Sequence, residues 1–378
     1  KSDFVGPNFL RNFPNTPFHN GDVRNLLEDD FQDREDGFEI PDDLDLIAGG
    51  PPCQGVSQIG PRDLDDVRND LFEVFVKVVA KYRPKAVLME NVPNIHQLGN
   101  GRFDEEVIEG LRNNGYENAA RVNFHAEQFG VPQKRERAFY FATRNDLGPL
   151  DYECEQFVKA LADSMRVDVP VTVLEAISDL PDEVVEDTET LPYPDCDDPT
   201  PYQKEMRRDY DGSIYSADDV LSKGISEKDP ELLHHQHTKG ITQVRIDRIQ
   251  HLEPGDDGSA IPDELWDGRR WKYRRLPFDD PSHTLTAQMH RDLAEWVHPK
   301  RELDRWITVR EAMRLQSFHD GFVLGVSEYR QLEQIGNSVP PLLGRVVGSI
   351  SQALIENATE GKMPTGVQAE VQSTLKGF

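Results

Sequence analysis

Asp45-Leu46-Ile47-Ala48-Gly49-Gly50-Pro51-Pro52-Cys53-Gln54-Gly55-Val56-Ser57 is the stretch that decides the fold. Its apolar start reads as a buried strand. Two glycines then free the backbone to turn, and two prolines remove N–H donors and stiffen the chain around them. The turn delivers a thiol, Cys53, just past the carboxyl end of a strand. Open α/β sheets place ligands and chemistry there. Taken alone, Cys53 reads as a small buried residue beside a tight turn, because free cysteine is among the most buried residue types. The residues that surround it must decide.

Downstream, Leu71, Phe72, Phe75, Val78 and Val79 share one side of a predicted helix that Pro84 ends. Ala86-Val87-Leu88-Met89 is a second buried strand, closed by Glu90-Asn91-Val92-Pro93. A carboxylate ending one strand and a thiol after another lie on the same edge of a parallel sheet. Glu90 then reads as an acid beside a nucleophile rather than a solvated strand end. A helix from Phe103 to Asn113, a strand near 119–124 and the strand Ala138–Ala142 continue the alternation. Strand and helix alternating over 44–143 predict a doubly wound sheet, with loops 49–57, 90–94 and 125–135 around one cleft. Ahead of the last strand, Gln133, Arg135 and Arg137 are expected on one strand face. They are either a solvated basic edge or a donor array for a phosphate or a base oxygen.

Toward the start, Asp22 comes after Gly21 and suits the cap of a turn or helix beginning near Arg24. Residues 149–268 lose the regular alternation and are rich in Asp, Glu and Pro, as expected of a separate, loop-rich domain. His234, His235 and His237 lack matching ligands at metal spacing, so no metal site is expected. Next, Gly268-Arg269-Arg270-Trp271-Lys272-Tyr273-Arg274-Arg275 interleaves five cations with two aromatics. That suits phosphate and base contacts, or an ion-paired strand. Thr308-Val309-Arg310-Glu311 is a capping box, and Gly336-Asn337-Ser338-Val339-Pro340-Pro341 is a rigid turn before a helix over Leu342–Ile355.

The chain has 378 residues and a net charge of −27, with 69 acidic against 42 basic residues. Such a surface repels nucleic acid in ordinary buffer. Either nucleic acid is not the partner, or the protein works in high salt, where charges are screened within a few ångströms. The acidic residues are spread along the chain, which favours a solvated surface of the halophilic kind. Cys53, Cys154 and Cys196 are far apart, so neither a disulfide framework nor a cysteine zinc site is expected. No apolar run approaches membrane-spanning length and no signal-peptide pattern opens the chain. A monomer in the cytoplasm, associated with the nucleoid, is expected.

Taken in order, these motifs resemble the DNA (cytosine-5) methyltransferases from about Asn12 to Ile355. The landmarks are Gly-Asp-Val at 21–23, Pro-Pro-Cys-Gln at 51–54, Asp-x-Arg-Asn-x-Leu at 66–71, Glu-Asn-Val at 90–92 and Gln-x-Arg-x-Arg at 133–137. Pro-Ser-x-Thr at 281–284, Thr-x-Arg-Glu-Ala at 308–312 and Gly-Asn-Ser-Val-Pro-Pro at 336–341 complete them. The resemblance implies a Rossmann-like, S-adenosylmethionine-dependent methyltransferase sheet with a smaller target-recognition domain. The expected boundaries are 1–148 for the catalytic domain, 149–274 for recognition, 275–355 for the remainder and the return, and 356–378 for a polar tail.

The resemblance further implies Cys53 as nucleophile toward C6 of a flipped cytosine, Glu90 at N3 and the amine, Arg137 at O2, and Arg135 positioning the base or the Cys53 loop. It places Asp22, Pro52, Leu71 and Asn337 at the cofactor. It places Gln54, Ser57, Gln133, Arg269, Arg270 and Arg274 on double-stranded DNA, with a cognate restriction endonuclease as a further partner and no metal. The family also carries a Phe-x-Gly-x-Gly loop and an acidic ribose contact ahead of Asp22. The sequence opens at Lys1, too late for either, and so reads as N-terminally truncated. The competing expectations are an inactive DNA-binding relic and a tRNA cytosine-5 methyltransferase.

Overall fold

The computed structural model describes residues 5–34, 37–52, 71–93, 102–148, 152–187, 189–207, 232–265 and 272–364. Cys53, Gln54, Ser57, Arg269 and Arg270 lie outside them, as does the 365–378 part of the expected tail.

Four strands form the central sheet: β1 (Leu46–Gly49), β2 (Ala86–Asn91), β3 (Ala119–His125) and β4 (Glu136–Thr143). Their spatial order is β1-β2-β4-β3. β1 and β2 are parallel, and β4 runs antiparallel to both β2 and β3. The expectation of a parallel sheet is therefore corrected at β4. The link from β3 to β4 carries only a one-turn helix, Ala126–Phe129, closed by Gly130 at φ 80°. A parallel return needs a crossover of a dozen or more residues, so this chain turns straight back. The consequence is functional: β4 begins at the sheet edge where β2 ends, with Glu90 opposite Phe139 and Asn91 opposite Ala138.

Alternation along the strands buries both faces. Leu88, Val122, Phe124, Phe139 and Phe141 pack against Phe157, Val158 and Leu161 of the helix Cys154–Ser164 and against Leu343, Val347 and Ile350. Those last three belong to the long helix Pro341–Glu360, which runs past the expected end at Ile355. On the other face Val87, Met89 and Tyr140 meet Phe75 and Val79 of the helix Leu71–Tyr82 and Val107 and Leu111 of the helix Arg102–Arg112. Helices on both faces are the doubly wound arrangement. The helix Leu71–Tyr82 stops where Arg83 takes φ 46° before Pro84, as the proline required.

A second core gathers residues from Val173 to Ile335 around Trp296, Trp306, Tyr202 and Tyr273. Its regular elements are short, including the helices Val173–Ile177, Pro201–Arg207 and Gln243–Ile249 and a two-stranded ribbon of Leu191–Pro192 with Leu232–Leu233. The helix Cys154–Ser164 packs in the sheet's core, past residue 148. Charge is buried in the second core too. Arg314 is fully buried between Asp179 at 3.1 Å and Asp320 at 2.5 Å. Thr308 and Glu311 make the expected capping box, with Glu311 also held by both terminal guanidinium nitrogens of Arg305.

Candidate active site

β2 carries Glu90 near its end, opposite Phe139, and β4 enters the same edge with Arg137 two residues before that partner. Arg137 is thus the diagonal neighbour of Glu90 on the same sheet face, within reach for a long side chain. Its Nε lies 3.0 Å from the Glu90 carboxylate, and both side chains are largely buried. Burial pushes the Glu90 carboxyl above its ordinary range, against the opposing pull of Arg137 and Arg135. Burial likewise lowers Arg137, which Glu90 partly restores. The carboxyl is thereby biased toward holding a proton beside a hydrogen-bond donor.

The turn that leads to Cys53 meets this pair. A Cβ on Gly50 would sit 3.1 Å from the Glu90 carboxylate, so the glycine makes room for it. The Asn91 amide donates to the Pro51 carbonyl at 3.3 Å. The stem of the cysteine loop and the acid are therefore side by side.

Behind Glu90 stands a group that the sequence reading missed. Arg121 of β3 donates to the Pro93 carbonyl at 3.0 Å and lies 3.2 Å from Asp104 of the helix Arg102–Arg112, whose carboxylate also accepts the Tyr140 hydroxyl. The signal was a cation within an apolar strand, in register with Tyr140.

The Gln133–Arg137 array does not share one strand face, because the strand begins only at Glu136. Gln133 is fully buried. Its amide donates to Gln316 at 2.5 Å and to the Leu315 carbonyl at 3.2 Å, and its oxygen accepts from Leu285 N at 2.8 Å. A DNA contact for Gln133 is thus corrected to an interior strut. Arg135 is also buried, and donates to the carbonyls of Leu285 (2.7 Å), Gly336 (2.9 Å) and Ser338 (2.9 Å). It ties the sheet edge to two loops instead of facing the cleft.

Of the cofactor candidates, Asn337 is exposed and lines a cleft of about 590 Å³ with Phe9, Phe13, Phe318, Phe322 and Ser338. Aromatic walls beside an exposed amide fit a purine-bearing ligand. Asp22, Pro52 and Leu71 are not among the residues lining this cleft. Asp22 caps the turn Val23–Leu27 by accepting from Arg24 N at 2.9 Å, the local role its spacing allowed. Pro52 is exposed, and Leu71 is half-buried as the first residue of its helix.

Arg274 is exposed, with its backbone bridged to Asp257. Asp187, His235 and His237 bring potential ligand atoms within 4.8 Å of one another. His235 Nε2 already accepts from Leu324 N at 3.0 Å, and His237 Nε2 lies 2.9 Å from Gln331 and 3.0 Å from Asp187. The group is a hydrogen-bonded post in the second core. No helix among the described residues is long and apolar enough to cross a membrane.

Residues 9–352 match the model of the C-5 cytosine-specific DNA methylase family. The chain belongs to that family. It is 33% identical to the type II methyltransferase M.AgeI of Thalassovita gelatinovora, over 85% of this chain and 86% of the relative. It is 32% identical to M.XorII of Xanthomonas oryzae pv. oryzae, over 81% and 67%. A crystal structure of a prophage-encoded E. coli protein, described as a DNA modification methyltransferase, superposes with a TM-score of 0.71 at 23% identity. It covers 94% of this chain and 91% of that one, a likeness of fold. As a C-5 cytosine methylase, the protein is an enzyme whose family function is S-adenosylmethionine-dependent methylation of cytosine in DNA.

Proposed function

We propose that this methylase acts through a covalent bond from Cys53 to C6 of a cytosine turned out of duplex DNA, with Glu90 and Arg137 holding the base. The observation that carries the reading is the Glu90–Arg137 pair at 3.0 Å beside the Pro51 turn that leads to Cys53. The Cys53 thiolate adds to C6, and the electron pair displaced into the ring is accommodated by a proton that Glu90 supplies at N3. Arg137 donates to O2 and holds the ring against Glu90. S-adenosylmethionine, when bound, supplies the methyl group that C5 receives; Asn337 and the aromatic cleft beside it would hold its adenine end. A base then removes the C5 proton, the C6–S bond breaks to return the thiolate, and N3 returns its proton to Glu90. Transfer of labelled methyl into duplex DNA tests the reading, with transfer to tRNA alone as the contrary result.

The second core, which includes the chain around Arg274, is the recognition domain in this reading, and protection against a cognate endonuclease is the biological role. Arg269, Arg270 and Arg274 supply the phosphate contacts. Neutralising each is expected to shift the log–log salt slope of DNA binding by about one in the positive direction. An unchanged slope in the triple variant refutes that placement.

The net charge of −27 also predicts an inverted salt response. Screening of carboxylate repulsion should raise both the melting temperature and DNA affinity from about 0.1 M to about 1 M KCl, where the Debye length shrinks from about 10 Å to about 3 Å. Full stability and tightest binding at low salt would contradict a halophilic surface.

A further inference from the structure

Gln316 and Ser317 end the helix Val309–Leu315, and both are fully buried. Ser317 takes φ 63°, in the left-handed region that non-glycine residues rarely occupy. In a regular helix, successive side chains diverge by about 100°, from 3.6 residues per turn. Here the kinked backbone lets two adjacent side chains serve one loop. The Gln316 amide donates to the carbonyl of Ser338 at 2.9 Å and to its hydroxyl at 3.0 Å. The Ser317 hydroxyl accepts from Leu342 N at 3.1 Å, an otherwise orphan donor in the first turn of the helix Pro341–Glu360. The turn is thus gripped on both sides of the Pro340–Pro341 step.

The grip is anchored at its far end. Gln133 donates to the Gln316 oxygen at 2.5 Å, which fixes which end of the Gln316 amide faces Ser338. Arg135 adds bonds to the carbonyls on either side of Asn337. Gly336 admits the close approach beneath: a Cβ there would meet Ala287 N at 2.3 Å. The backbone on both sides of Asn337 is held, while Asn337 itself lines the aromatic cleft. A residue kept in a sparsely populated conformation and surrounded by satisfied bonds points to a built site.

We propose that Gln316, with Ser317 beside it, is a positioning residue for the cofactor: it fixes the Gly336–Ser338 turn that presents Asn337 to the cleft. The proposal rests on the assignment of Asn337 to S-adenosylmethionine. Neither Gln316 nor Ser317 lines the cleft. Binding of S-adenosylhomocysteine by calorimetry tests this on the parent chain, on Gln316→Met, which keeps length without hydrogen bonds, and on Ser317→Ala. Loss of the grip should weaken S-adenosylhomocysteine about tenfold in Gln316→Met and about threefold in Ser317→Ala, the order expected of lost hydrogen bonds. DNA affinity without cofactor should stay within about twofold, and the KM for S-adenosylmethionine should rise with little change in kcat. Cofactor affinity unchanged in both folded variants overturns the inference, as does a fall in kcat at constant KM. If Gln316→Met does not fold, Ser317→Ala decides. A parent chain that binds no S-adenosylhomocysteine instead refutes the Asn337 assignment, and this inference with it.

Discussion

Cys53→Ala is expected to abolish methyl transfer to duplex DNA while leaving the fold and S-adenosylhomocysteine binding intact. Removing a nucleophile that makes the covalent bond costs on the order of 10⁶ in turnover where it has been measured in other enzymes, so the residual rate should lie below detection. The alanine protein should also form no denaturant-resistant adduct with its DNA. The expectation depends on Cys53 being the reactive thiol among three, and the other two support it. Cys154 is buried at the start of its helix, its thiol pushed up to about 12 by burial and by Glu153 and Glu155. At neutral pH it holds almost no thiolate. Cys196 is exposed in irregular chain, and Cys196→Ala should leave transfer unchanged. Activity retained in Cys53→Ala would remove the covalent mechanism altogether.

What the sequence made legible was whatever neighbouring residues decide. The capping box Thr308–Glu311 needs only four residues, and it forms as spaced. The strand Ala86–Asn91 announces itself as a short apolar run and Ala119–His125 as an alternation of apolar and polar residues, each between turn signals. The direction of β4 depends on the length of the link before it, and that link holds only a one-turn helix, too short for a parallel crossover. Gln133 was misread for a related reason. Its partners Leu285 and Gln316 lie 152 and 183 residues away, so nothing near it in the chain betrays that its amide is already used. The basic-array pattern was real in composition, yet burial divides its members among different tasks. Arg137 faces Glu90, whereas Arg135 and Gln133 hold loops together. Asp104, Arg121 and Tyr140 come from three separate elements, and only the folded sheet assembles them behind Pro93.

Glu90→Gln is the second large effect, and it separates chemistry from packing. The glutamine oxygen still accepts the Arg137 Nε bond, so the pair's geometry and the fold should persist. The variant lacks a transferable proton, and losing one positioned acid typically costs about 10² to 10⁴ in rate, or about 3 to 5 kcal/mol of barrier. Measured as kcat at saturating DNA and cofactor, a fall of that size with a nearly unchanged KM for DNA is the expected outcome. The pH response gives an independent reading. Burial raises the Glu90 carboxyl above its unfolded value, so the folded protein keeps this proton to higher pH than an ordinary glutamate. Activity that needs the protonated acid is fully present below the raised value and declines as pH rises through it. Stability has the same sign: between the unfolded and folded values the native state binds the extra proton, so stability falls as pH rises across that window. Glu90→Gln removes the titration from both profiles at once. Its rate should be low and flat where the parent declines, and its melting temperature should lose the parent's downward slope in that window. A glutamine variant that keeps the parent's rate and the parent's pH limb would assign the acid to another group and leave Glu90 as the ion-pair partner of Arg137 alone.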